Sequence, residues 1–297
     1  MKKPVFIGSA VALVTPFNEG GVDTKKLKAL IDFHLAHKTD AIVVAATTGE
    51  AATMPDEEHL FTIRTVVEYV DGRIPVIAGT GSNDTAHGIK LAKEATAIGA
   101  DALLAVTPYY NKTSQEGIFR HFQATAEATD LPIIVYNVPS RTNLNIAPST
   151  YKRLSEIENI VGVKECNMGQ VPETVNLCGD DLVLYSGEDG LVVPLLSMGG
   201  KGVISVASHI VPETMHNMVE SFINGDIKTA AKIQADIIPL CKALFMDVNP
   251  IPVKEALNIL GWDIGSCRMP LVDMSEDGKA KLAEVLKQYD LSFHKMA

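Results

Sequence analysis

Apolar residues run along the chain in short unbroken stretches that recur roughly every 20–35 residues, each closed by Gly, Pro or Asp. They are SAVALVTPF (9–17), DAIVVAATTGE (40–50), IPVIAGTG (74–81), ADALLAVTPYY (100–110), LPIIVYNVP (131–139), NIVGVKEC (159–166), DLVLYSGED (181–189) and GVISVASHI (202–210). The runs do not alternate with polar residues. Near-continuous hydrophobicity of this kind marks parallel strands covered on both faces.

Between the runs the period changes to that of a helix. DTKKLKALIDFHLAHK sets Leu27, Leu30, Ile31 and Leu35 on one stripe behind Asp23 or Thr24 as cap. TSQEGIFRHFQATAEA opens with Thr113 and Glu116 at capping-box spacing, and Pro55 and Pro148 stand where first helical turns begin. Eight strand–helix repeats predict a (β/α)₈ TIM barrel over 1–211. A doubly wound open sheet is the competing architecture, but it uses fewer strands and opens on a Gly-rich turn that is absent here. After residue 211 only helical patterns remain (MHNMVESFI, IKTAAKIQADIIPLCKALF, GKAKLAEVLKQY), with Pro250 and Pro252 expected to break them. This predicts a helical C-terminal extension, 212–297, packed on the barrel.

The first residues, MKKPVFIGSAVALVTPF, imitate a secretory signal. Gly8 and Ser9 interrupt the apolar segment, however, and the barrel requires the stretch as its first strand. No apolar run has the length of a membrane span. The net charge of −10 with no Lys/Arg-rich run argues against nucleic acid. With 46% hydrophobic and 21% charged residues the chain is globular. Four scattered cysteines without a CxxC pair suit reduced thiols in the cytoplasm, and no HExxH occurs among eight histidines. His34 and His37 read as packing residues, and no metal is expected.

Barrel enzymes work at the C-terminal ends of their strands. There the chain offers Thr47, Thr48 and Glu50 after strand two, and Tyr109, Tyr110 and Asn111 after strand four. Strand five gives Tyr136, Asn137, Ser140 and Arg141, strand six Lys164, and strand seven Ser186, Gly187, Glu188 and Asp189. Lys164 ends an apolar strand. Either its amine snorkels to solvent, or burial suppresses its charge and makes it a nucleophile toward carbonyls. An imine chemistry needs a proton shuttle, which a tyrosine hydroxyl relayed through a threonine supplies. Amides and hydroxyls near Thr47 and Thr48 suit one carboxylate and Arg141 a second. Singly, Tyr136 reads equally as packing, Thr47 and Thr48 as helix caps, and Arg141 as a loop charge; it is their convergence on one face that points to a site. SMGGKGV (197–203) imitates a phosphate loop, but it precedes strand eight and so lies at the wrong end of the barrel.

ATTGE, TPYYN, YNVPSRT, VGVKEC and YSGED, in this order, resemble the pyruvate-dependent class I aldolases of the N-acetylneuraminate lyase family over essentially the whole chain. The SRT element (140–142) resembles the branch that condenses pyruvate with L-aspartate 4-semialdehyde on the way to lysine and diaminopimelate. The resemblance implies Lys164 as the imine-forming residue and Tyr136 as proton donor and acceptor, with Thr48 and Tyr110 completing a hydroxyl relay. It implies Thr47 and Thr48 on the pyruvate carboxylate, Arg141 on the semialdehyde, and Gly187 and Ile204 lining the site. It implies no cofactor, and a homo-oligomer, usually a tetramer built as a dimer of dimers, in which Tyr110 reaches a neighbour's site. Ala46 replaces a common Gly and Glu188 a common Asp. Lysine-inhibited relatives hold the effector with a Glu and two His. The corresponding allosteric positions here, Ala51, Asp56, His59, Asn83, His87 and Tyr109, lack the Glu and one His, so weak or absent inhibition by lysine is expected. Two other readings stay open: a pyruvate-dependent aldolase acting on a keto-acid sugar, and a non-catalytic barrel that binds a keto acid.

Overall fold

The eight apolar runs become eight strands: β1 (Gly8–Ala12), β2 (Ala41–Val44), β3 (Val76–Gly79), β4 (Ala102–Val106), β5 (Ile133–Asn137), β6 (Ile160–Glu165), β7 (Val183–Ser186) and β8 (Gly202–Ser205). In this computed structural model, which describes residues 1–294, they form one closed barrel in which each strand pairs in parallel with its sequence neighbour and β1 pairs with β8 (Gly8 opposite Gly202). The first of these strands is the stretch that imitates a signal, and all five of its residues are buried.

Each strand is followed by a helix that packs back onto the sheet. After β1 to β4 come α1 (Thr24–Ala36), α2 (Asp56–Val70), α3 (Thr85–Ile98) and α4 (Gln115–Ala126). After β5 the chain makes two, the single-turn α5 (Pro139–Thr142) and α6 (Pro148–Ser155), and after β6 and β7 come α7 (Val171–Cys178) and α8 (Val192–Ser197). Asp23 caps α1 by accepting from the Lys26 amide. The expected capping box on α4 is displaced by one residue: Ser114, not Thr113, accepts from the Gly117 amide. Pro148 opens α6 as expected, while Pro55 occupies the cap position of α2. SMGGKGV is the turn from α8 into β8.

The helix after β8, α9 (Pro212–Ile223), packs against β1 and completes the ring. It falls inside the stretch expected as the extension, because a helical pattern alone does not say which layer a helix joins. Beyond it lie α10 (Ile227–Asp236), α11 (Ile238–Leu244), α12 (Ile251–Ile259) and α13 (Glu276–Leu286). Pro250 and Pro252 do not break a helix. They occupy the cap and first turn of α12, where the missing N–H costs nothing. A two-stranded hairpin, Phe17–Asn18 against Gly21–Val22, was not legible in the hydrophobic pattern because neither strand exceeds two residues.

Side chains divide between two cores. Alternate strand residues such as Ile133, Val135 and Val163 face the helices, whereas Ile134, Tyr136, Ile204 and Tyr185 fill the barrel interior. Fully burying each aliphatic side chain contributes about 1.5–3 kcal/mol. At the N-terminal side Phe6 stacks on Tyr185, ring centroids 4.4 Å apart, and the Tyr185 hydroxyl donates to the Phe6 carbonyl. The barrel is thus closed below and open for chemistry only above. No helix among the described residues is long and apolar enough to cross a membrane.

Candidate active site

Lys164 is the penultimate residue of β6, opposite Tyr136 of β5 and Tyr185 of β7 in the ladders. The pairing turns its side chain inward, and 6% of it is exposed. The amine stands over the Tyr136 ring, 4.3 Å from its centre. Burial holds the amine below the ordinary lysine range, opposed in part by Cys166, Asp189 and Glu188. The same burial drives the Tyr136 phenol well above its usual value, so it stays a neutral donor; the Thr47 hydroxyl pulls the other way. A depressed amine beside a neutral phenol is a nucleophile with a proton carrier.

The chain around Lys164 is held rigidly from behind. Glu165 points to the helix side and its carboxylate accepts from Asn137 Nδ2 (2.8 Å), Tyr151 Oη (2.7 Å), Gln170 Nε2 (2.8 Å) and the Asn167 amide (2.6 Å). In front, Gly187 leaves room that no other residue can: a Cβ there would lie 2.3 Å from Cys166 Sγ and 3.3 Å from Lys164 Cε. The Gly187 amide donates to the Glu165 carbonyl at 2.8 Å. Ile204, in the interior layer, is almost fully buried. Burial raises the Glu188 carboxyl and pushes the Cys166 thiol up to about 12.

Residues 45–50 form a tight turn after β2, with Ala45 and Glu50 both at positive φ (52° and 59°). Such backbone costs about 1–3 kcal/mol per residue and persists only where the surroundings impose it. Among the described residues the amides of Thr47 and Thr48 have no acceptor. Two adjacent N–H groups without an acceptor, beside a cavity that Thr47 lines, form a ready anion receiver. The two threonine hydroxyls then separate. Thr47 borders Tyr136, whereas buried Thr48 accepts from Asn249 Nδ2 at 2.9 Å. The hydroxyl that adjoins Tyr136 is therefore Thr47, while that of Thr48, expected in the relay, is the acceptor from Asn249.

Arg141, on the single turn α5, donates from Nη2 to the Asn249 carbonyl at 3.0 Å. Thr47, Tyr136, Val138, Arg141, Val248 and Asn249 share the wall of one cavity of about 520 Å³. Asn249 and its neighbours come from the segment leading into α12, and no motif in the pattern announced them. The residues were legible only as NPIP, a helix-breaking run.

Tyr110 does not join this site. It is 92% exposed, at φ 72°, and is not among the residues that line the cavity. Tyr109 lines the cavity, as do Ala51, Asp56, His59 and His87. Here the two Asp56 oxygens are occupied, one by His87 Nε2 (2.8 Å) and one by Lys90 Nζ (2.6 Å). Lys90 and then His87 hold that carboxyl below its usual range. His59 donates from Nε2 to the Gly79 carbonyl at 2.7 Å, and the Asn83 carbonyl accepts from Asn111.

Residues 5–289 match the model of the dihydrodipicolinate synthetase family. The 4-hydroxy-tetrahydrodipicolinate synthase of Acetivibrio thermocellus is 53% identical over 291 residues, covering 98% of this chain and 100% of the relative. That of Caldicellulosiruptor saccharolyticus is 53% identical over 292 residues, 97% and 99% of the two chains. Among solved structures, dihydrodipicolinate synthase from Aquifex aeolicus superposes with a TM-score of 0.94 at 45% identity over 96% of this chain and 99% of that one.

Proposed function

The chain belongs to the dihydrodipicolinate synthetase family, and on that premise we propose that it condenses pyruvate with L-aspartate 4-semialdehyde to 4-hydroxy-tetrahydrodipicolinate, in lysine and diaminopimelate biosynthesis. The observation that carries the reading is the buried Lys164 amine, its proton affinity lowered by desolvation and its position fixed over Tyr136.

The neutral amine adds to the C2 carbonyl of pyruvate. Water leaves, and the nitrogen and C2 are joined as an imine. Loss of a C3 proton turns the imine into an enamine, whose C3 attacks the aldehyde carbon of the semialdehyde. The semialdehyde's amine then attacks the imine carbon, the ring closes and Lys164 is released. Tyr136 carries the protons of these steps, passing them through Thr47. The Thr47 and Thr48 amides receive the pyruvate carboxylate, and Arg141 the carboxylate of the semialdehyde. Lys164 is itself the electron sink, so the cycle calls for no cofactor.

The exposed Tyr110 supports a homo-oligomer, a dimer of dimers, in which this side chain completes the relay in a neighbouring subunit. Four free cysteines agree with a cytoplasmic setting. Occupation of Asp56 by His87 and Lys90 supports weak or absent inhibition by lysine.

Borohydride reduction with pyruvate, followed by peptide mass spectrometry, tests the chemistry. A pyruvate-derived adduct on Lys164 is expected. A folded protein left unmodified at that residue would overturn the reading.

A further inference from the structure

Below the turn that bears Thr47 and Thr48 lies an ion pair that the reaction does not use. Lys254 of α12 is 1% exposed and Glu50 4%. Lys254 Nζ donates to Glu50 Oε1 (2.8 Å), to the Thr15 carbonyl (3.1 Å) and to the Ser266 carbonyl (2.9 Å). The other Glu50 oxygen accepts from the Arg268 amide at 2.7 Å. Every donor of the ammonium is used. Phe17 closes the space, its ring 4.7 Å from the Lys254 amine and 3.9 Å from the Arg268 guanidinium.

A buried ion pair is a poor source of stability, because its desolvation cost roughly cancels its attraction and an apolar pair often serves as well. What it supplies is one fixed geometry. Glu50 ends the strained turn at φ 59°, its amide donating to the Thr47 carbonyl, while Thr15 holds the Gly49 carbonyl at 2.8 Å. The carboxylate of Glu50 is thus the anchor of a turn that carries two amides without an acceptor and lines the cavity through Thr47. Asn249, five residues before Lys254, holds the same turn through Thr48.

We propose that Lys254 is a positioning residue for the keto-acid carboxylate: through Glu50 it imposes the turn that aims the Thr47 and Thr48 amides, so that α12, outside the barrel, forms part of the pyruvate site. The inference rests on the pyruvate reading above. A misaimed amide loses a charge-assisted bond to the carboxylate and leaves the semialdehyde contact at Arg141 in place.

The test uses Lys254→Met, Glu50→Gln and the double variant, which leaves no uncompensated charge and is the one expected to fold best. Pyruvate at half-saturation of Lys164 trapping is expected to rise about ten- to a hundredfold in the double variant, the worth of one hydrogen bond to a charged group, with the KM for aspartate semialdehyde within about twofold of wild type. The double variant is expected to be no worse than the worse single one, since both remove one coupled device. Unchanged pyruvate half-saturation in a folded double variant would overturn the proposal, and so would equal losses for both substrates. Failure of the double variant to fold would assign the pair to stability and overturn it as well. A wild-type protein that pyruvate cannot trap would instead sink the pyruvate reading itself.

Discussion

The Lys164 amine and the Tyr136 ring, partners in the β5–β6 ladder, stand 4.3 Å apart inside the barrel. The contact places a cationic group on a π-face, but in a site that disfavours the cation. The residue is therefore stored in a state useful for chemistry and costly for folding.

That cost has a sign. The folded-state pKa of Lys164 lies below its ordinary value of 10.5. Between the two values the unfolded chain binds more protons, so this group makes stability rise with pH. Below the folded-state value the full penalty applies. Lys164→Met is accordingly expected to raise Tm by about a few °C at pH 7 while abolishing pyruvate trapping. The advantage should shrink as the pH approaches 10.5. Thermal melts of both proteins across pH decide it; a variant less stable than wild type at pH 7 would show that the amine is comfortable where it is.

The separation of the two threonine hydroxyls makes a comparison. Thr47→Val removes the hydroxyl beside Tyr136, and Thr48→Val one that only accepts from Asn249. Loss of a proton relay costs about 10²-fold or more in kcat. The Thr47 variant is expected to show that loss and the Thr48 variant at most about tenfold. The reverse ranking in steady-state kinetics would return the relay to Thr48.

Gly187 is constrained by space and not by backbone conformation. Gly187→Ala drives a methyl group against Cys166 Sγ, at 2.3 Å. Overpacking of this kind costs about 1–3 kcal/mol and displaces Lys164 with it. Reduced stability and slower trapping are expected together. Adding Cys166→Ala should restore most of the lost stability, since it removes the atom that clashes. Denaturant midpoints for the single and double variants measure this directly; no recovery would place the strain elsewhere.

How much of this was readable beforehand follows from the range over which each feature is determined. The eight strands were legible because burial on both faces demands an unbroken apolar run, a local property. Lys164, Tyr136 and Arg141 were legible as polar groups at the ends of those runs. The roles of Asn249 and Lys254 were not, because their partners Thr48 and Glu50 lie 201 and 204 residues away and only the closed barrel with α12 on its rim brings them together. The split between Thr47 and Thr48 was hidden for a related reason. Adjacent residues with one side-chain type are told apart only by the partners each one finds.

Lysine as an effector requires a free acceptor for its ammonium. Both Asp56 oxygens already accept from groups of its own chain, His87 Nε2 and the Lys90 ammonium. Added lysine is expected to leave the rate within about twofold at 1 mM, an affinity no better than about −4 kcal/mol. A titration showing half-inhibition well below that concentration would overturn the expectation.

Tyr110 allows the assembly and the chemistry to be tested in one experiment. Its side chain is 92% exposed and stands on the surface at φ 72°, an unfavourable conformation for a bulky residue. If it completes the relay across a two-fold interface, every site draws Lys164 from one subunit and Tyr110 from its partner. Lys164→Ala and Tyr110→Phe proteins are each expected to be impaired. When they are unfolded together and reassembled at equal amounts, half of the dimers are mixed. Each mixed dimer contains one site with both residues intact, because in an isologous interface the same patch serves both subunits, so about one quarter of wild-type activity should return. The Lys164→Ala protein contributes only its tyrosine to that site. A mixture no more active than the average of its two components would place Tyr110 in its own subunit's chemistry or in none.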